Sequence, residues 1–309
     1  MSADQPAPRL WLPQYWPSWL AVGFVRVLAP LPLEALLAVG RWIGRIAFYL
    51  VPVRRAVTEK NLALCFPEMT AVERCRLARR SYESFGMGVF EAVYCYFSGT
   101  ERFAGRYTLE GWAQLEAARA AKRGVVLLST HCHTMEIAGR IAALQAPLSA
   151  FYRNPKNPVF AHVRDQCHEG RLAQKFAIDD LKGAVRALRD GALLWYAPDQ
   201  GRRFKHTVIA PFFGVPAVSN AATSKVAHLG RALVIPWGTV RERRDGRWHY
   251  RVTVHPPLAE LPEDPVAEAT LINQTVEQLV RAAPEQYLWQ HKRFKARGEG
   301  YPDEYAGMK

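Results

Sequence analysis

Apolar residues along this chain follow two rhythms, and one change of rhythm locates its chemical centre. Val125 to Leu128 are continuously apolar, the pattern of a strand buried on both faces of a parallel sheet, and Ser129-Thr130 end the run. Ile137, Ile141 and Leu144 then recur at helical spacing, which places His131 in the turn and Glu136 in the first turns of the next helix. In open α/β sheets the carboxyl end of a strand faces the crevice where ligands bind.

The same reading extends in both directions. Thr70-Ala71-Val72-Glu73 is a capping box, and Ala78, Tyr82, Phe85, Val89, Val93 and Tyr96 follow at offsets of three and four, predicting a long amphipathic helix with that stripe in the core. Strands are expected at Tyr107–Leu109, Leu148–Tyr152 and Ala192–Tyr196, with helices over Trp112–Ala121, Glu136–Leu144, Val159–Leu172 and Asp180–Arg189. Arg153-Asn154-Pro155-Lys156-Asn157-Pro158 reads as a loop. If the strands ending at Leu128 and Tyr196 are parallel, Pro198-Asp199-Gln200-Gly201 reaches the same edge as His131. Pro211-Phe212-Phe213-Gly214 is an apolar turn that either walls a ligand channel or is buried. Ser219–Leu229 reads as a helix, Ala232–Val240 and Trp248–Val254 as a strand pair around Asp245-Gly246, and Asp264-Pro265 opens a final helix. The alternation predicts an α/β fold, a mostly parallel central sheet flanked by helices.

Residues 1–10 are a short polar leader without a basic n-region or cleavage site, so no signal peptide is expected. Leu10 to Pro52 is rich in Trp, Leu, Val, Ala and Phe, but Arg26, Glu34, Arg41 and Arg45 and four prolines interrupt it. No charge-free run reaches the roughly 18–20 residues of a spanning helix. The segment is expected to lie at a membrane interface, with Trp11, Trp16, Trp19 and Trp42 at headgroup level and Arg41, Arg45, Arg54, Arg55 and Lys60 toward an anionic leaflet. A buried helical hairpin and one tilted span near Trp16–Leu37 are the alternatives. The division expected is residues 1–60 as a membrane-associated helical segment and 61–309 as a catalytic domain.

Composition narrows the partners. Lys and Arg number 41 against 28 Asp and Glu, a net charge of +13, which points to nucleic acid, an anionic membrane or a phosphorylated or acidic-protein substrate. Lys292, Arg293, Lys295 and Arg297 are candidates for the surface that meets it. Cys65, Cys75, Cys95, Cys132 and Cys167 are odd in number with no C-x-x-C pair, indicating neither a disulfide framework nor a zinc ribbon and fitting a reducing compartment.

With His131 on the turn, its imidazole can fold back over the helix start, where Glu136 accepts a bond from one ring nitrogen and leaves the other as a base. That is a base and its orienter without a nucleophile, suited to deprotonating a substrate hydroxyl. The bland alternative is a strand-end histidine bonded to backbone and a solvated glutamate. His131-Cys132-His133 resembles the start of a metallo-β-lactamase-type box, but Met135 and Glu136 stand where Asp-His is required, so no metal is expected. Cys132 should point away from His131, as adjacent side chains on extended backbone do, and reads as a packed thiol.

These residues resemble a family. The apolar strand followed by His131 and Glu136 looks like the H-x4-D/E box of the lysophospholipid-acyltransferase superfamily, and its glutamate form is similar to the late acyltransferases of bacterial lipid A assembly, the lauroyl and myristoyl transferases. Lys60–Glu68, Leu194–Gln200, Pro284–Trp289 and His291–Lys295 agree in order over nearly the whole chain. The resemblance implies transfer of a fatty acyl chain from an acyl-carrier-protein thioester to a hydroxyl of a phosphorylated glucosamine glycolipid. It implies no metal or dissociable cofactor, and a place on the cytoplasmic face of the bacterial inner membrane. It gives His131 as general base with Glu136, and Arg171 and Asp199 as substrate-binding residues. His133 and Arg202-Arg203 depart from the family pattern and bear on the acceptor; another lipid acceptor is the runner-up. A basic membrane- or nucleic-acid-binding protein with a degenerate pocket, using Arg241-Glu242-Arg243-Arg244 and His291–Arg297, is the rival from another class, though no nucleic-acid-binding motif accompanies the charge.

Overall fold

Helices come first in the chain, then strands and helices alternate. The computed structural model describes residues 10–152, 157–168, 171–178, 180–201 and 207–308. The helices α1 (Trp16–Leu28), α2 (Leu33–Leu50), α3 (Pro52–Cys65) and α4 (Ala71–Phe97) precede β1 (Tyr107–Glu110), α5 (Ala113–Ala120), β2 (Val125–Leu128), α6 (Met135–Gln145), β3 (Leu148–Tyr152), α7 (Pro158–His168), β4 (Gln174–Ala177), α8 (Leu181–Arg189) and β5 (Leu193–Tyr196). A hairpin of β6 (Thr207–Phe212) and β7 (Val215–Asn220) leads to α9 (Thr223–Gly230), the strand pair β8 (Leu233–Arg244) and β9 (Arg247–Val254), and α10 (Pro265–Arg281).

Among the described residues, seven strands form one sheet in the order β1-β9-β8-β2-β5-β3-β4. Its neighbours pair in parallel except β8 and β9, which turn back on each other through Asp245-Gly246, both at positive φ as a tight hairpin requires. β2 lies between β5 and β8 with all four side chains buried, which is why its sequence carries no polar alternation.

Several elements differ from expectation, each for a local reason. β4 lacks an apolar signature because, as an edge strand, it buries Phe176 alone of its four residues. The expected helix at Ser219 begins at Thr223: Val215–Asn220 pairs with Thr207–Phe212 across a turn where Phe213 and Gly214 both take positive φ. Phe212 and Phe213 of that turn are buried in one cluster with Phe66 and Trp289. Arg202 and Arg203, and the 153–156 part of the predicted loop, lie outside the described residues.

The capping box starts α4 as expected, with Thr70 Oγ1 accepting from Glu73 N at 3.3 Å and Glu73 Oε2 from Thr70 N at 2.7 Å. Its stripe is only partly core: Tyr82 and Val93 are buried, whereas Phe85 and Val89 are exposed. The helix turns Glu83 and Glu91 inward instead, Glu83 to Arg41 and Arg45 of α2 and Glu91 to Arg241 of β8. Arg241 is therefore no part of a basic surface. α2 and α4 cross at glycines, where a methyl on Gly86 would lie 2.0 Å from the Gly40 carbonyl oxygen. Leu33, Leu36 and Leu37 of α2 share a core cluster with Tyr94, Trp112 and Ile235, and residue 60 lies inside α3.

No single helix among the described residues is long and apolar enough to cross a membrane; α2 and α3 pass that test only together, bent by 93°. Large apolar side chains are nonetheless left in solvent: Trp16, Leu20, Phe24 and Val27 along α1, and Trp42, Ile43, Ile46, Tyr49 and Leu50 along α2.

Candidate active site

β2 and β5 are parallel, with Leu128 opposite Tyr196, and residues at equal distance beyond the two ends come side by side. His131 and Asp199 each lie three past that pair. His131 Nδ1 is 2.5 Å from Asp199 Oδ1, and the His131 backbone N–H donates to Oδ2 at 2.9 Å, so one carboxylate fixes both the ring and its main chain. Asp199 is 1% exposed. Burial pushes its carboxyl up, but the charge and hydrogen bonds of His131, with the Arg293 charge, outweigh burial and hold it below its ordinary value. An ionised carboxylate only accepts, which puts the ring proton on Nδ1 and leaves base chemistry to Nε2. The His131 side chain is 25% exposed and borders the cavity described below.

The carboxylate on Nδ1 is thus Asp199, where the residue pattern pointed to Glu136. Glu136 occupies the first turn of α6 as expected, with Tyr96 of α4 as hydrogen-bonding neighbour and Arg164 of α7 nearby. Burial raises its pKa, against the opposing influence of those two neighbours. Arg171 donates from Nη1 to the Cys95 carbonyl at 2.5 Å. Burial lowers the pKa of Arg140, and the like charge of Arg171 lowers it further. Glu136, Arg140 and Arg171 line, with His131, one cavity of about 620 Å³. Apart from that polar group its walls are mainly apolar, with Leu148, Phe151, Leu172, Trp195 and Val226 among them. That volume lies in the ~300–1,000 Å³ range of ligand pockets.

His133 points away from this cavity, with Nδ1 3.0 Å from Ser84 Oγ and Nε2 3.4 Å from Gln290 Oε1, and burial pushes its pKa down to about 3. Among the described residues no group of three or more His, Cys, Asp or Glu side chains is placed to hold a metal ion. Burial pushes the Cys132 thiol up, which removes thiolate character. The neutral His133 makes folding acid-sensitive. Its ordinary pKa is 6.5, so below pH 6.5 the unfolded chain takes up a proton that the native site refuses until about pH 3, and stability falls as pH drops through that window. Replacing His133 by Gln is expected to flatten the melting temperature between pH 6.5 and 4, as thermal unfolding across pH would measure; an unchanged slope would contradict it.

Some contributors escaped sequence reasoning. The segment after α10 closes over the His131 turn: Leu288 N donates to the His131 carbonyl at 3.2 Å, His133 N to the Gln286 carbonyl at 2.7 Å, and Tyr287 stands beside Asp199. Arg293, expected at the surface, is 2% exposed and donates from Nη1 to the Val218 carbonyl at 2.7 Å. Arg297 is also buried, paired with Glu304 at 2.7 Å, and Lys292 donates to the Met308 carbonyl. Lys292, Arg293 and Arg297 therefore hold the C-terminal segment down and do not form a docking surface. The Pro284–Lys295 motif was the available signal, but nothing in it announced a structural role.

Comparison with known proteins adds an independent line. The model of the bacterial lipid A biosynthesis acyltransferase family matches residues 4–296. The chain is 33% identical over 297 residues to the lipid A biosynthesis lauroyltransferase of Escherichia coli (strain K12), covering 95% of this chain and 96% of that protein. It is 32% identical over 295 residues to the palmitoleoyltransferase of the same organism (93% and 94% covered) and 29% over 298 residues to its myristoyltransferase (93% and 90%). The His131 turn, the Asp199 strand end and the segment that closes over them all fall inside the matched span, and the chain belongs to the bacterial lipid A biosynthesis acyltransferase family.

Proposed function

We propose that the protein carries out a secondary acylation of a lipid A precursor, moving a fatty acyl chain from an acyl-carrier-protein thioester to a hydroxyl on a phosphorylated glycolipid. One observation carries the chemistry: a histidine oriented by a buried carboxylate at a largely apolar cavity of about 620 Å³. His131 Nε2 takes the proton of the acceptor hydroxyl as its oxygen attacks the thioester carbonyl, and Asp199 stabilises the imidazolium that forms. Collapse of the tetrahedral intermediate breaks the C–S bond, and His131 returns its proton to the departing thiolate. Asp199 is in this reading a positioning residue. Glu136 and Arg171 act from the cavity wall on the bound substrate, Arg171 on its negative charge.

Cells lacking the protein should yield lipid A lighter by one acyl chain in the mass spectrum. An unchanged acylation pattern would overturn the acceptor assignment and favour another lipid.

The reading places the enzyme on the cytoplasmic face of the inner membrane. What supports contact with a membrane is the exposed row Trp16, Leu20, Phe24 and Val27, spaced as one helix face, together with the exposed aromatic and aliphatic residues of α2. Changing Leu20, Phe24 and Val27 together to Asp is expected to release most of the protein from anionic phospholipid vesicles in a flotation assay. Undiminished binding would remove α1 from the membrane contact.

A further inference from the structure

α6 turns Met135, Glu136, Gly139, Arg140 and Ala143 toward the cavity, the offsets of three and four that one helix face requires. Ile137, Ala138, Ile141 and Ala142, on the other side, are buried in the core. The cavity face runs about 12 Å from Met135 to Ala143 at the helical rise per residue. Leu148, Ala150, Phe151 and Trp195 line the same cavity from β3 and β5.

Gly139 sits midway along this face and has no local reason to be glycine. Its φ is not positive, and a Cβ built on it would meet nothing within 4 Å. Gly40, Gly44, Gly86, Gly88 and Gly124 differ, each having a neighbour's backbone within 3 Å of such an atom. In a helix interior glycine is the least favourable residue after proline, so a glycine facing open space weakens α6 without easing any packing. What the missing side chain provides is room inside the cavity.

We propose that Gly139 sets the length of fatty chain the cavity accepts: the chain lies along α6, crosses the space a side chain would fill at Gly139 and continues toward Ala143. This rests on the acyl-transfer reading and adds to it the residue that selects among chains. A long acyl chain is carried by the donor and also by a lipid acceptor, and the two sources are separated by varying one at a time.

The test uses the full-length enzyme with octanoyl, dodecanoyl and hexadecanoyl thioesters of acyl-carrier protein at fixed acceptor, then acceptors of different chain length at fixed donor. Gly139→Leu is expected to lower kcat/KM for the longest chain at least tenfold relative to the shortest, the worth of about two excluded methylenes, mainly through KM. Gly139→Ala should raise the melting temperature and shift preference the same way by about two- to threefold, which keeps the proposal testable should the leucine variant fail to fold. A shift with donor length assigns the space to the donor chain, and a shift with acceptor length assigns it to the acceptor's. An equal loss at every length, or no change in a folded variant, overturns the proposal. Wild-type enzyme that transfers no acyl chain of any length would instead refute the acyl-transfer reading.

Discussion

His131→Ala is expected to slow acyl transfer by about 10²–10⁴-fold, the usual worth of a positioned general base, with the melting temperature little changed. The ring is held by Asp199 and edged by Trp195 at a centroid distance of 6.2 Å, and without it Asp199 retains the backbone bond from residue 131 and the nearby Arg293 charge. Asp199→Asn should also act mainly on kcat, because an amide still accepts from the backbone N–H yet cannot stabilise an imidazolium; in serine triads the same change costs about 10⁴-fold. Glu136→Gln should leave the His131 geometry intact and lower kcat/KM through the bound substrate. Steady-state kinetics of the three variants separates these roles. Full activity in folded His131→Ala would remove it as the base, and full activity in Asp199→Asn would return the orienting role to Glu136.

The second large effect is on stability. Arg241 and Glu91 are 2.6 Å apart with side-chain exposures of 3% and 0%, and Glu91 also accepts from the Tyr250 hydroxyl at 2.7 Å. Arg241→Met leaves a buried carboxylate without its cation and is expected to cost about 3–5 kcal/mol. Adding Glu91→Gln removes the stranded charge, so the double variant should be more stable than Arg241→Met alone. Denaturant unfolding measures both, and strictly additive losses would contradict the pairing. The pair also supports the site: Arg241 N donates to Gln286 Oε1 at 2.9 Å, and the Gln286 carbonyl accepts from His133, two residues from the base.

Much of this was legible along the chain because local rules dominate where one element buries one face. Val125–Leu128 announced a central strand by its unbroken apolar run, Thr70 and Glu73 announced a helix start, and Asp264 caps α10 through Ala267 N at 2.8 Å. What stayed hidden depended on pairing between distant segments. The His131–Asp199 bond follows from the register of β2 against β5, which no spacing along one strand encodes. Asp199 therefore read as a substrate-binding residue carried by family resemblance, and its hold on Nδ1 emerged only in three dimensions. The C-terminal cations misled for a related reason. A basic run reads as a solvated face until buried carbonyls such as that of Val218 are found to need its donors.

The central claim, that the His131–Asp199 pair transfers an acyl group onto a phosphorylated glycolipid, is tested most directly by the mass of the acceptor. Wild-type enzyme incubated with acyl-loaded carrier protein and a lipid A precursor should convert the acceptor to a species heavier by one ester-linked acyl group, and His131→Ala should leave it unmodified over the same time. An acceptor that gains no acyl group with the wild type, or gains it equally with His131→Ala, would contradict the account.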